Sequence, residues 1–339
     1  EPSLGDYQDR KWRPFQLAFQ LLVISSVAFP EDPDRDIVDL IWFPTGGGQT
    51  EAYLGVVAFQ IFYRRMMHGS QGYGTTVIMR YTLRLLTTQQ FQRAATLLCA
   101  CELIRRENPI LGDDEISIGL WVGQSSAPNS YQKALELYEK VLEEKKPKSP
   151  YQIDRCPWCG TAIVPEKQTD NRKNYGIQST KYNFSLYCPK KTCPFHEKLP
   201  VGVVDEQLYE SPPTMVIATV DKFARMTWVE EAGVFFGGDI RRPPELIIQD
   251  ELHLISGPLG TMVGLYETAI DELITQGGIK PKILASTATI RNADEQIDGL
   301  YARSVEVFPP SGLRSDDSYF ARSNPEATGR LYVGFMGQG

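Results

Sequence analysis

"FPTGGGQTEA", residues 43 to 52, is the stretch on which the fold turns. Three consecutive glycines, Gly46, Gly47 and Gly48, leave the backbone free to curl around an anion, since no side chain blocks its N–H groups. Upstream, "IVDLIWFP" (37–44) is a short apolar, β-branched run that reads as a buried strand. Downstream, a helical pattern runs from Thr50 to about Met67. Strand, glycine turn and helix in that order are the setting of a phosphate-binding loop. Thr50 offers a hydroxyl of the kind that ligates magnesium, but Gln49 stands where a lysine is usual and Phe43 where a first glycine is usual. Taken alone the string is weak, because a tight glycine turn between strand and helix would look the same.

The rest of the chain repeats the alternation. Residues 74–82, 116–123, 214–220, 245–251 and 282–288 read as strands, and 14–28, 84–108, 131–146 and 264–276 as helices. Apolar strands separated by helices predict an α/β fold, a parallel sheet with helices on both faces. Residues 151–199 break the pattern and are rich in Lys, Pro, Asn, Tyr and Cys. Residues 311–330 are linker-like, and "LYVGFM" (331–336) resembles the start of another strand.

The sequence has 339 residues, 42% hydrophobic and 11% aromatic, enough for a substantial core. Its net charge of −7 argues against a uniformly basic nucleic-acid surface but leaves room for a local basic groove. The longest apolar run, 15–29, is interrupted by glutamines and falls short of the roughly 20 residues of a spanning helix. No membrane association is expected.

Two further strings end on predicted strands. "LIIQDELH" (246–253) sets Asp250 and Glu251 just past an apolar run. Parallel strands expose their carboxyl ends at one edge, the edge where the glycine turn also lies. There Asp250 can hold magnesium through water, and Glu251 can orient or deprotonate an attacking water. "ASTAT" (285–289) supplies hydroxyls, from Ser286, Thr287 and Thr289, that can bond those carboxylates and relay their state together with His253.

Together these strings resemble the first motor domain of a superfamily 2 DExH helicase, a RecA-like parallel sheet flanked by helices. "RPFQ" (13–16) resembles the adenine-reading segment, with Arg13 and Gln16 toward the base. "FPTGGGQT" resembles motif I, which assigns Thr45, Gly46, Gly47, Gly48, Gln49, Thr50 and Glu51 to the nucleotide. "DELH" resembles motif II and "STAT" motif III. "MRYTLRLLTTQQFQRA" (79–94) resembles motif Ia and "ATVDKFAR" (218–225) the next nucleic-acid motif. "TEAYLG", "RYTLRLLTTQQFQRA", "TVDKFA" and "DELHLISGPLGT" are similar, more specifically, to the helicase subunit of the DISARM anti-phage system.

The resemblance implies ATP, with magnesium held by Thr50 and Asp250, and catalysis by Glu251 and Asp250 with Gln49 in the lysine position. It implies DNA backbone contacts from Arg80, Arg84, Thr87, Thr88, Gln89, Thr219, Asp221, Lys222 and Arg225. It also implies phage DNA as target, a companion defence subunit and a cytoplasmic setting. The expected organisation is a motor domain over 1–150 and 200–310, an insertion over 151–199, and a linker with the start of a second motor domain over 311–339. Motifs IV to VI, with the arginine finger, are absent. A unit charge 4 Å from a phosphate is worth roughly 4 kcal/mol at an effective dielectric of 20. With Gln49, weak nucleotide binding and negligible hydrolysis are therefore expected. The alternative is a nucleotide-insensitive DNA-binding or scaffold module descended from a helicase.

Of six cysteines, Cys99 and Cys101 sit in a helical run and read as inert core thiols. "CPWC" and "CPKKTC" pair Cys156 with Cys159 and Cys188 with Cys193. Two close pairs separated by 28 residues suit a closed, structural tetrahedral zinc site, with His196 as an alternative to Cys193. With few aliphatic residues, 151–199 is expected to depend on the metal to fold. Its lysines and arginines, interleaved with Tyr175, Tyr182, Phe184 and Tyr187, suit base stacking or a protein partner alike.

Overall fold

The computed structural model describes residues 11–43, 48–81, 88–238, 240–287 and 292–310, with 312, 319, 320, 326, 333 and 334 beyond them. Thr45, Gly46, Gly47, Arg84, Thr87 and Thr289 lie outside the described residues, as does nearly all of 311–339.

Among the described residues, eight strands form one sheet: β1 (Val38–Trp42), β2 (Val77–Tyr81), β3 (Ile118–Trp121), β6 (Val201–Gly202), β7 (Met215–Thr219), β8 (Leu246–Gln249), β9 (Lys282–Thr287) and β10 (Val305–Phe308). Their order is β10-β1-β9-β8-β2-β7-β3-β6, and every neighbouring pair is parallel. β1, β2, β7, β8 and β9 are buried almost throughout, which is why they read as continuous apolar runs. Alternate residues serve opposite faces: Ile41 and Met79 join one core, Leu40 and Ile78 the other.

Helices cover both faces. α1 (Pro14–Ala28), α2 (Gln49–His68), α3 (Thr88–Glu107) and α4 (Tyr131–Glu143) pack on the first core. α7 (Gly257–Thr275) and α8 (Ala293–Tyr301) pack on the second, with the short α5 (Asp205–Glu210) and α6 (Val220–Phe223) between. The fold is thus the expected α/β arrangement, a parallel sheet flanked by helices. α7 begins well before the expected residue 264, with a proline in its first turn, where a missing N–H costs nothing. The edge strand β10 was not anticipated, because Val305, Glu306 and Val307 mix exposure with burial.

Residues 151–199 hold an antiparallel pair, β4 (Ile177–Ser179) with β5 (Phe184–Leu186). The segment is short of aliphatic residues, as its composition indicates, but not of buried apolar ones. Tyr151, Ile153, Ile163, Tyr175, Phe184, Leu186 and Phe195 are buried and continuous with the first core. Aromatics replace the aliphatics the sequence lacks. Tyr175 and Phe184 are therefore unavailable as base-stacking platforms, while Tyr182 is exposed.

Candidate nucleotide site and cysteine centre

Parallel order brings the carboxyl ends of β1, β9, β8, β2 and β7 to one edge, with Trp42 beside Thr287 and Gln249 beside Arg80. β1 leads into the glycine turn. Gly48 caps α2 in the left-handed region at φ 96°. That conformation favours glycine, and a Cβ there, 2.7 Å from Gln16 Nε2, would also displace the Gln16 amide. Gln16, on the first turn of α1, donates to the Gly48 carbonyl at 2.8 Å and accepts from the Arg13 backbone N–H at 2.8 Å. Arg13, Phe15, Phe43, Tyr319 and Phe320 line an open cavity of about 380 Å³. The Phe15 and Phe43 rings stack at 4.0 Å.

Gln49 opens α2. Its amide donates to the Phe43 carbonyl at 2.7 Å and approaches the Thr287 carbonyl at 3.5 Å. Glu51 pairs with Arg93 of α3 at 3.5 Å.

Asp250 follows β8 and is buried. Both of its carboxylate oxygens are engaged. Tyr53 of α2 donates to Oδ2 at 2.9 Å; Ser286 of β9 and the Glu251 N–H, at 3.0 Å, donate to Oδ1. The Tyr53 hydroxyl is held well above its ordinary pKa by burial and then by the Asp250 charge, so it remains a donor. Sequence reasoning missed Tyr53, although it lies one turn after Thr50 and so on the same helix face.

Glu251 adopts φ 51° and ψ 49°, a left-handed conformation rare for a side-chain-bearing residue and costing roughly 1–3 kcal/mol. Its carboxyl is raised above the usual range, first by burial and then by Asp250, with His253 pulling the other way. His253 Nδ1 lies 3.5 Å from Glu251 Oε2 and 3.3 Å from Thr287 Oγ1. Such an edge can present a partly desolvated carboxylate base beside a fixed carboxylate suited to a hydrated cation.

The four paired cysteines converge. Sγ atoms of Cys156, Cys159, Cys188 and Cys193 lie within 4.8 Å of one another, with Cys156–Cys193 at 3.9 Å and Cys159–Cys188 at 3.5 Å. A tetrahedral zinc with Zn–S near 2.3 Å needs S–S edges of about 3.8 Å, so the donor set fits. His196 is not among them; its Nδ1 meets the Cys188 carbonyl at 2.8 Å. Cys99 and Cys101 are buried in the core, where burial raises both thiols, Cys101 to about 12.

The expected DNA contacts divide. Thr88, Gln89 and Arg225 are accessible at the carboxyl edge, and Asp221 is exposed there too. Arg80, Thr219 and Lys222 are buried, which corrects their assignment. Arg80 is ion-paired with Glu267 of α7, and Lys222 with Asp205 at 2.5 Å while donating to the Val122 carbonyl. A cation spent on an internal pair cannot also reach a phosphate. Gln124 and Ser125, exposed just past β3 at the same edge, were not anticipated.

No protein-family model matches the chain. The DISARM protein DrmA of Bacillus paralicheniformis (strain ATCC 9945a / NCIMB 11709 / CD-2) is 42% identical over 376 aligned positions, covering 96% of this chain. Nearly the whole chain is therefore similar to one part of DrmA. It spans about a third of DrmA's length (33%). Among solved structures, the Mycobacterium smegmatis helicase Lhr bound to ssDNA and AMP-PNP aligns with a TM-score of 0.48 at 15% identity, over 89% of this chain and 26% of that one. The DUF1998 helicase MrfA bound to DNA and AMPPNP aligns with a TM-score of 0.46 at 12% identity, over 90% and 28%. Among the described residues, no helix is long and apolar enough to cross a membrane.

Proposed function

We propose that this chain is the first motor domain of an ATP-dependent DNA helicase or translocase acting in cytoplasmic anti-phage defence beside a companion subunit, as the kinship with DrmA suggests. One observation carries it: Asp250 is bonded at once by Tyr53, from the helix that opens at Gln49, and by Ser286, from the third motif. Three separate strings thereby meet on one carboxylate at one sheet edge. Adenine would enter the cavity beside Arg13 and Gln16, and phosphates would meet the N-terminus of α2, with Thr45, Gly46, Gly47, Gly48 and Thr50 around them. Magnesium would rest on Thr50 and, through water, on Asp250; Glu251 would orient the attacking water. The four cysteines would hold structural zinc. DNA would pass over Thr88, Gln89 and Arg225, continued by Arg84 and Thr87, while Ser286, Thr287, Thr289 and His253 would relay the state of the acidic pair.

With Gln49 the domain is expected to bind nucleotide weakly and to hydrolyse it negligibly. A second reading, a nucleotide-insensitive DNA-binding scaffold, is favoured by Gln49 itself, whose amide is satisfied by the Phe43 carbonyl. Restoring lysine at 49 in a chain that also carries a second motor domain separates the two. DNA-stimulated ATP hydrolysis would support the motor, and a chain that binds DNA but gains no hydrolysis would support the scaffold.

A further inference from the structure

Four polar side chains of α3 point across to the cysteine segment. Thr88 donates to Gln152 Oε1 at 2.9 Å and Gln92 to the Arg155 carbonyl at 3.0 Å, while the Thr96 hydroxyl is shared between its own helix, at the Gln92 carbonyl (2.9 Å), and the Pro157 carbonyl (3.0 Å). Arg106 donates to the Pro194 carbonyl at 3.3 Å. Thr88, Gln92 and Thr96 recur every four residues, so they form one stripe along the helix. Their acceptors are not arbitrary. Arg155 and Pro157 flank Cys156, and Pro194 follows Cys193. The positions of three acceptor carbonyls are thus fixed by two of the four thiols.

The fourth rung is Gln152, at φ 58°. A non-glycine residue stays in that region only where its surroundings determine it. Gln152 also donates to the Ser126 carbonyl at 3.4 Å, so it ties the start of α3 to the loop after β3. Both pieces belong to the carboxyl edge over which nucleic acid is placed above.

We propose that the cysteine centre is a brace for the nucleic-acid edge: metal in the thiol cage holds the three carbonyls and Gln152 in register, and these fix α3 and its exposed amino end. Its effect on DNA rests on the function proposed above, but its effect on α3 does not. Gln92, Thr96 and Gln152 are then positioning residues rather than contacts, while Thr88 both faces the strand and holds Gln152.

Amide hydrogen exchange on the zinc-loaded chain tests this, together with metal content and the affinity of a fluorescent single-stranded oligonucleotide. Removing zinc with a chelator should speed exchange over 88–100 by about tenfold and weaken oligonucleotide binding several-fold. Because chelation can loosen the whole segment, the double variant Q92A/T96V is the second arm. It should keep its zinc, yet show the faster exchange in α3 and the weaker binding. Zinc-replete Q92A/T96V with unchanged exchange over 88–100 overturns the brace, as does a wild-type chain that binds no zinc. If the wild type binds no oligonucleotide, the nucleic-acid function fails, and exchange still decides the brace on its own.

Discussion

At the scale of residues, Asp250 is where the proposed nucleotide edge is assembled, and its neighbours set what it can do. A carboxylate with both oxygens already bonded is held in one orientation, which suits a group that positions a hydrated cation. Tyr53→Phe deletes one of those bonds without changing the ring. In a Gln49→Lys background it should raise the magnesium concentration for half-maximal binding of a fluorescent nucleotide about tenfold, leaving magnesium-free binding unaltered. Glu251 must be ionised to act on water, and its carboxyl is raised by burial and by Asp250. Hydrolysis by a lysine-restored two-domain chain should therefore fall, as pH drops, at a higher pH than an ordinary glutamate would give. His253 pulls that carboxyl down, so His253→Ala should move the acid limb further toward neutrality, as read from a pH–rate profile. Arg80 acts differently. Arg80→Met strands Glu267 in the interior and should cost about 3–5 kcal/mol of stability, read as a lower urea midpoint. Arg225→Ala should leave that midpoint unchanged and weaken DNA binding instead.

At the scale of elements, what the sequence made legible follows periodicity. Helix 14–28 and the strands at 38–42, 77–81, 215–219, 246–249 and 282–287 were readable because two-sided burial demands unbroken apolar runs. β10 and β6 were not, since β10 is half exposed and β6, though buried, is only two residues long. Among the residues of the site, Gly48 and the acidic pair announce themselves by local chemistry, whereas Tyr53 looks like any core aromatic until β8 is set beneath α2. The burial of Arg80 and Lys222 was hidden for a similar reason. Their partners, Glu267 and Asp205, are remote in sequence, and only the packed sheet reveals the pairing. The cysteine segment carries the same lesson. Its aromatics are roots into the shared core, so its stability should not be separable from that of the sheet. Chelation should lower the calorimetric unfolding temperature of the chain in one transition; a separate early transition for 151–199 would show an autonomous module.

At the scale of the whole molecule, a net charge of −7 and the loss of Arg80 and Lys222 to internal pairs leave a sparse cationic track. Where the proposed track draws its charge from Arg84 and Arg225, the logarithm of the single-strand binding constant should fall with that of salt at a slope of about −1.4. A slope several-fold steeper would bring the exposed lysines of 151–199 into contact with the strand. All of this depends on the glycine turn, the acidic pair and the hydroxyl string forming a single nucleotide site, which Gln49 leaves without its charge. The direct measurement is titration of the chain and of its Gln49→Lys variant with a fluorescent ATP analogue and magnesium. Binding should tighten about tenfold or more on restoring the charge, and Asp250→Asn should remove its magnesium dependence. An affinity unmoved by lysine at 49, or magnesium dependence that survives Asp250→Asn, would contradict the account.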